Sequence, residues 1–389
     1  MKEERPRRVI GIFALASFLN DLGSDMIYPI WPLFVTSVLG ANMAVLGFID
    51  GLGDAVVSIS QAASGYLSDR IKKRKIFIII GYGLGAISRI GYGLSHTWPQ
   101  LIPMRILDRS GKIRNAPRDA IIADISVREN RGGNFGILRA MDNFGAVCGI
   151  LASIALLPIL GYRKLFFLAA VPSVLAAFLI FIGIKEKRET IKTIYKGMRL
   201  KDLDSNFRLF LVLSAIFSLG SFSYSFLMIF SEKNGFKMAT IPVLYLLFTA
   251  VAFATSIPFG KLADKIGRKK VVAVSFILWG MVSICLLLEK SLAVIVVAFV
   301  LYGMHRGAID TVQKAFVSEL CPTEYRASAL GGFQMVVGLC ALPASLAAGL
   351  LWDKVSSTAP FILSLILTAI AMVLMTFVKE TAPSENRKT

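Results

Sequence analysis

Twelve long apolar runs, each bounded by short polar stretches, constrain this chain more than any other feature of its sequence. They fall near 9–36, 42–67, 75–95, 99–124, 134–160 and 163–184, and then near 208–231, 239–263, 270–289, 291–319, 326–352 and 357–378. A hydrocarbon core about 30 Å thick is crossed by ~20 mostly apolar residues in a helix. Backbone N–H and C=O groups find no water there, so runs of this length are expected to be helical. The chain is 55% apolar and only 17% charged. A soluble domain carries about a quarter charged residues, and a soluble fold is excluded on that ground. The expected fold is an all-α membrane protein with twelve transmembrane helices.

The formal net charge is +18, from 43 Lys and Arg against 25 Asp and Glu. In a soluble protein this would point to nucleic acid. Here the cations cluster between apolar runs, at 2–8, 70–75, 185–208 and 261–270. They mark cytoplasmic loops, and no nucleic-acid partner is expected. Every second loop is basic, so both termini are expected in the cytoplasm, with the chain integral to the plasma (inner) membrane. The start MKEERPRR resembles the basic region of a signal peptide. The apolar stretch after it is too long for one, and no small-residue cleavage site closes it; it reads as a retained first span. Cys148, Cys285, Cys321 and Cys340 have no paired spacing, so neither a disulfide nor a zinc site is expected.

The two sets of six runs repeat at one offset. Gly40 and Gly235, Gly65 and Gly260, Asp69 and Asp264, Asp124 and Glu319, Arg131 and Arg326, and Gly136 and Gly331 are each 195 residues apart. Two pseudo-symmetric six-helix bundles are therefore expected, at 1–184 and at 208–389 with the tail. A cytoplasmic linker over 185–207 would join them. Paired halves of this kind place a substrate site between them near mid-membrane.

The strongest motif is GYLSDRIKKRK from Gly65 to Lys75, with a second copy, GKLADKIGRKK, from Gly260 to Lys270. The leading glycine permits close helix packing. The aspartate suits a neighbouring helix amino terminus, whose dipole favours negative charge. On these residues the chain resembles the major facilitator superfamily over nearly its whole length, and in particular its prokaryotic efflux-type members. In that family the motif is a latch that holds the two halves together on the cytoplasmic side. The resemblance implies latch roles for Asp69 and Arg70, an anchoring role for Arg74, and matching roles for Asp264 and Arg268. Asp124, closing the fourth run, is placed to pair with Arg70.

Charges inside the runs mark a pathway, because a charge in hydrocarbon is costly and faces the protein interior. In the fourth run Arg105, Arg109 and Lys112 recur at helical spacing. Arg105 sits where the family often has a membrane-embedded arginine linked to proton transfer. The family pattern continues with a glycine four residues on, and here Arg109 stands there, which favours a local charge network. In the first run Asp21 and Asp25 share one face, near Tyr28. The family fold lines its cavity with helices 1, 4, 7 and 10, which would set these carboxylates opposite Arg105, Arg109 and Lys112 as carriers of the coupling proton. The tenth run adds His305, Arg306 and Asp310, and a histidine titrates near neutral pH. Asp50 and Asp54 in the second run, and Arg139 and Asp142 in the fifth, are gating candidates. The fifth run also holds Gly145 and Gly149 at a close-packing spacing. Where family exporters usually follow the second such glycine with proline, this chain has Ile150.

No nucleotide-binding glycine loop, HExxH or cysteine cluster occurs in the sequence, so neither an enzyme nor an ATP-driven pump is expected. No cofactor and no metal are expected. The residues point to a monomeric secondary active transporter of a small molecule, coupled to protons or another ion and seated in the lipid bilayer. Efflux by alternating access leads. Uptake or exchange of an anionic solute is the alternative, on the cationic face of the fourth run. A non-transporting scaffold or receptor would gain nothing from the buried charges.

Overall fold

The computed structural model describes residues 4–71, 73–126, 131–184, 204–288, 291–321 and 326–380. The side chains of 4–6, 65, 66, 69, 70, 123, 131–133 and 326–328 fall outside that description. The expected linker lies outside it as far as residue 203, as do the end of the ninth run near Lys290 and the tail from Ala382.

Helices carry nearly all of the described chain, and no strand occurs among the described residues. In order they are α1 (Glu4–Asp25), α2 (Met43–Ile71), α3 (Lys75–Leu94), α4 (Leu101–Ser110), α5 (Asn115–Ile125), α6 (Arg131–Gly183), α7 (Ser205–Gly220), α8 (Tyr224–Lys233), α9 (Ile241–Ile266), α10 (Arg268–Leu288), α11 (Leu292–Glu319), α12 (Arg326–Lys354) and α13 (Ala359–Phe377). Among the described residues, nine helical stretches are long and apolar enough to cross a membrane. One of them, within α6, turns at Gly161 (φ 68°, ψ 175°), between the expected fifth and sixth runs. Only glycine takes that backbone without strain.

Three runs expected as single helices are broken. In the first, α1 stops at Asp25 and the chain turns over residues 26–30. Pro29 has no N–H for the helical ladder. A short helical turn at Trp31–Leu33 and a wider π turn at Phe34–Val38 follow. In the fourth, α4 tightens into a 3₁₀ turn over Gly111–Arg114 before α5 begins. There Gly81 and Gly111 touch so closely that a Cβ on either would strike the other's carbonyl oxygen. In the seventh, α7 and α8 are separated at residues 221–223, and Ser223 caps α8 by accepting from the Ser225 backbone N–H at 3.3 Å. Serine side chains bond nearby backbone and so offer an alternative to the helical ladder.

The chain divides into two compact units. The first comprises residues 1–42, 52–193 and 238–246, and the second 43–51, 194–237 and 247–389. The two short segments counted away from their neighbours, Met43–Gly51 and Met238–Leu246, are 195 residues apart at both ends. In the first unit α1 and α3 both pack along α6. Phe13, Ile78, Tyr82, Leu138, Ala176 and Ile180 form a buried core between them. Gly145 and Gly149 let α6 approach α1: a Cβ at Gly145 would strike Phe18, and one at Gly149 would strike Leu22 and Asp25. In the second unit α10 packs along α11, and α7 against α12 and α13.

The outward faces are apolar. Ile76, Ile80, Ile87 and Leu94 on α3 are exposed, as are Ile362, Ile366, Val373 and Phe377 on α13. In water such stripes would be aggregation liabilities; facing lipid, they need no cover. An apolar depression lined by Ile90, Phe167, Ala170, Val171, Val174 and Leu175 lies among the exposed residues of α3 and α6.

Candidate functional site

In the first unit the buried charge is arranged around α1, α3, α4 and α6. Arg89 of α3 is 2% exposed. Its Nη1 donates to the Ala169 carbonyl at 3.0 Å and to Ser173 Oγ, and its Nη2 donates to the Asn20 carbonyl at 3.3 Å. Ser173 Oγ donates to Asn20 Oδ1 at 3.2 Å, and Asn20 Nδ2 donates to Asp21 Oδ1 at 2.9 Å. One guanidinium thus ties α1, α3 and α6 together and ends on the carboxylate of Asp21.

The two arginines of α4 meet aromatic faces. Arg105, 1% exposed, lies over the Trp31 ring at 4.5 Å. Arg109 lies over the Tyr28 ring at 5.1 Å and donates from Nη1 to Tyr28 Oη at 3.2 Å. The turn at Pro29 brings Tyr28 and Trp31 beneath α4. Gly53 of α2 leaves room for both side chains, since a Cβ there would sit 3.0 Å from Arg105 Nε and 3.2 Å from Arg109 Cγ. No ion pair within 4 Å joins Asp21 or Asp25 to Arg105 or Arg109 among the described residues. The facing carboxylates and arginines expected from the sequence are thus not in direct contact. The arginines are held instead by the π faces of Tyr28 and Trp31, an attraction that strengthens when water is excluded.

Asp25 and Lys112 are half-buried. Lys112 sits in the 3₁₀ turn after α4. Among the described residues neither side chain has a hydrogen bond or ion pair. Asp25 lies in the electrostatic field of Lys112, Arg89 and Arg109 as well as that of Asp21. The region therefore holds three carboxylates, Asp21, Asp25 and Asp108, beside five cations, Arg89, Arg105, Arg109, Lys112 and Arg114. Further along, Arg118 donates to Asp119 at 3.0 Å and to Ser17 Oγ at 2.8 Å, and lies 3.9 Å from Asp142. Arg139 lies 3.8 Å from Asp142.

In the second unit His305 is 2% exposed among Phe217, Trp279 and Tyr302, with centroids 5.8, 5.6 and 6.2 Å away. Its Nδ1 is 2.7 Å from the Ser275 carbonyl oxygen. A carbonyl only accepts, so Nδ1 carries the proton. Arg306 and Asp310 pair at 3.0 Å one turn apart, both substantially exposed.

The loop motif is built twice. Asp69 and Arg70 fall in the last turns of α2, with side chains outside the described residues. Arg74 pairs with Asp124, and Arg268 pairs with Glu319 and lies 3.5 Å from Asp264. The next lysine repeats as well. Lys75 Nζ donates to the Phe181 carbonyl at 2.7 Å, and Lys269 Nζ to the Thr376 carbonyl at 3.1 Å. The acidic and carbonyl partners keep the 195-residue offset, while the two cations are 194 apart. The second copy is one residue shorter, and Gly267 (φ 102°) makes its turn.

The sequence pattern singles out the charges of the first, fourth and tenth runs, but Arg89, Ser173, Trp31 and Ser223 are not among the residues it marks. Arg89 carries the same signal as Arg105, a cation inside an apolar run. The others become visible only through their partners.

The family model described as Major Facilitator Superfamily matches residues 13–252 and 208–389. An uncharacterized MFS-type transporter, MJ1317 of Methanocaldococcus jannaschii, is 38% identical over 380 residues, covering 94% of both chains. The quinolone resistance protein NorA of Staphylococcus aureus is 23% identical over 215 residues, 52% of this chain and 53% of that one. Among solved structures, a bacterial homolog of the human lysosomal transporter Spinster, inward-facing and unoccupied, superposes with a TM-score of 0.77 at 14% identity, covering 98% of this chain and 100% of that one.

Proposed function

Because the chain belongs to the major facilitator superfamily, and is therefore an integral membrane transporter and not an enzyme, we propose that it expels a small solute by alternating access, driven by protons. Twelve spans in two six-helix bundles, with both termini in the cytoplasm, complete this reading. The observation that carries it is the buried cluster of the first unit, where Asp25 and Lys112 stand without a direct partner beside arginines already engaged by Tyr28 and Trp31. Charges in that position are costly unless used. A half-buried carboxylate without a hydrogen-bond partner, set between the like charge of Asp21 and the opposing cations, is suited to exchange a proton as a solute arrives or leaves.

Within this reading Asp25 and Asp21 carry the coupling proton. Arg105, Arg109 and Lys112 supply the opposing charge, and Arg306 and Asp310 belong to the solute path in the second unit. The geometry of His305, committed to a carbonyl and enclosed by aromatic rings, supports a packing role. The direction rests on the partial likeness to the quinolone resistance protein. The cations on and after α4 favour a second reading, uptake or exchange of an anionic solute.

Purified protein in liposomes with an imposed pH gradient separates the two, with a fluoroquinolone and a small dicarboxylate as probes. Gradient-driven movement of the fluoroquinolone, lost in Asp25→Asn while substrate-for-substrate exchange persists, is the expected outcome. Movement of the dicarboxylate alone would replace efflux by the second reading. Unchanged gradient dependence in both Asp21→Asn and Asp25→Asn would end the proton assignment.

A further inference from the structure

The first motif loop lies at one end of α2, and the other end holds a second charged device that the transport reading does not use. Asp50 is 2% exposed. It accepts from Ser223 Oγ at 2.8 Å and from Ser225 Oγ at 2.5 Å. Ser223 is the cap of α8, so the carboxylate sits at the amino terminus of that helix, where the dipole favours negative charge. Asp353 of α12 does the reciprocal service for α2. Its carboxylate accepts the backbone N–H groups of Met43 at 3.2 Å and Ala44 at 2.7 Å, two of the first donors of the helix, which have no partner within it.

The joint is closed by small residues. A Cβ at Gly47 would strike the Ser345 backbone, one at Gly51 the backbone of Ala341 and Leu342, and one at Gly349 the backbone of Met43 and Ala44. Ser345 Oγ also accepts from the Ser223 backbone N–H at 3.3 Å. All of these residues belong to the second unit, which includes α2 only as far as Gly51. Residues 50 and 69 are about 28 Å apart along the helix axis at 1.5 Å per residue, so this joint and the Asp69 loop are well separated.

We propose that Asp50 and Asp353 form a clasp, each carboxylate closing on a helix amino terminus, that fastens the first turns of α2 to α8 and α12 and must open for α2 to move during transport. Only the last clause rests on the transporter reading. The start of α2 gives one carboxylate to α8 and receives another from α12, so losing either group loosens the same segment. Hydrophobic packing alone would make the segment indifferent to a change from carboxylate to amide.

The test is thiol labelling in a variant lacking the four native cysteines, with Leu46→Cys as reporter. Leu46 is fully buried within the clasped segment. An impermeant maleimide is expected to label it slowly in the parent protein. Asp50→Asn, Asp353→Asn and the Ser223→Ala/Ser225→Ala pair are each expected to speed labelling about tenfold, the change that follows from losing one charge-assisted hydrogen bond. Rates within twofold of the parent in all three would overturn the clasp. Leu138→Cys, buried in the core of the first unit, serves as the folding control. If it too becomes labelled in Asp50→Asn, that variant has unfolded and the labelling rate of the serine pair decides the matter. Labelling needs no substrate, so failure of the clasp and failure of the transporter reading remain distinguishable.

Discussion

At the scale of single residues the molecule spends its buried polarity on arginine. Arg89 satisfies two carbonyls, a hydroxyl and the Asn20 side chain at once. A planar fork does this and a point charge does not. Arg89→Gln should therefore lower stability by about 3 kcal/mol, since several acceptors lose a charged donor together. Arg89→Lys should recover less than half of that loss. Thermal unfolding in detergent measures both, and equal transitions for lysine and arginine would show that charge alone matters there. Tyr28→Phe is the complementary case. It keeps the ring under Arg109 and removes only the hydrogen bond at 3.2 Å. Its cost should be about 1.5 kcal/mol, well below that of Tyr28→Ala, which also removes the cation–π contact and the packing.

At the scale of elements, glycines decide which helices touch. Gly149→Ala places a methyl group against Leu22 and Asp25, so α1 and α6 must part, and a lowered unfolding temperature is expected. Gly136, on the same helix, has nothing within 4 Å of an added Cβ. There alanine should raise stability by about 0.5–1 kcal/mol through helix propensity. Opposite signs for the two variants are the expected result. The close-packing role of Gly145 and Gly149 is legible in the sequence because their spacing puts them on one face. The breaks are less so. Pro29 and Pro32 lie in plain view but so do Pro172, Pro258 and Pro343, which sit within helices without breaking them. A proline signals a possible kink and not where neighbours will tolerate it. The division at residues 221–223 leaves only a run of serines as its trace. The role of Arg105 and Arg109 is half legible. Their burial follows from charge in an apolar run, but their partners depend on the turn at Pro29, which carries Tyr28 and Trp31 to α4 and leaves Asp21 with Asn20.

At the scale of the whole molecule the internal repeat is the organising fact, and it is legible because duplication preserves loop glycines and charges while apolar residues drift. Gly40 and Gly235 share a left-handed backbone, with φ of 69° and 105°. Arg74 with Asp124 and Arg268 with Glu319 are the same pair made twice. Their acidic partners are 42% and 39% exposed, and exposed pairs contribute about 0–1 kcal/mol each. Such weak pairs explain little of the stability of a chain this size. Their value lies in bias: a few tenths of a kcal/mol shift a two-state equilibrium measurably when the states are nearly balanced. Asp124→Asn and Glu319→Gln should then leave the unfolding temperature within about a degree of the parent, while changing the transport rate several-fold. Exchanging the charges, Arg74→Asp with Asp124→Arg, should restore the rate if the pair acts as a pair. A rate that stays low in the exchanged protein, with folding intact, would mean that Arg74 or Asp124 makes its essential contact elsewhere. The two copies also predict a comparison within one molecule. The second loop is one residue shorter and turns at Gly267, so Gly267→Ala, strained at φ 102°, should weaken the Arg268 pair without touching the first copy. Distance measurements between spin labels flanking each loop would register a change at the second loop only; a matching change at the first would show that the two loops are coupled.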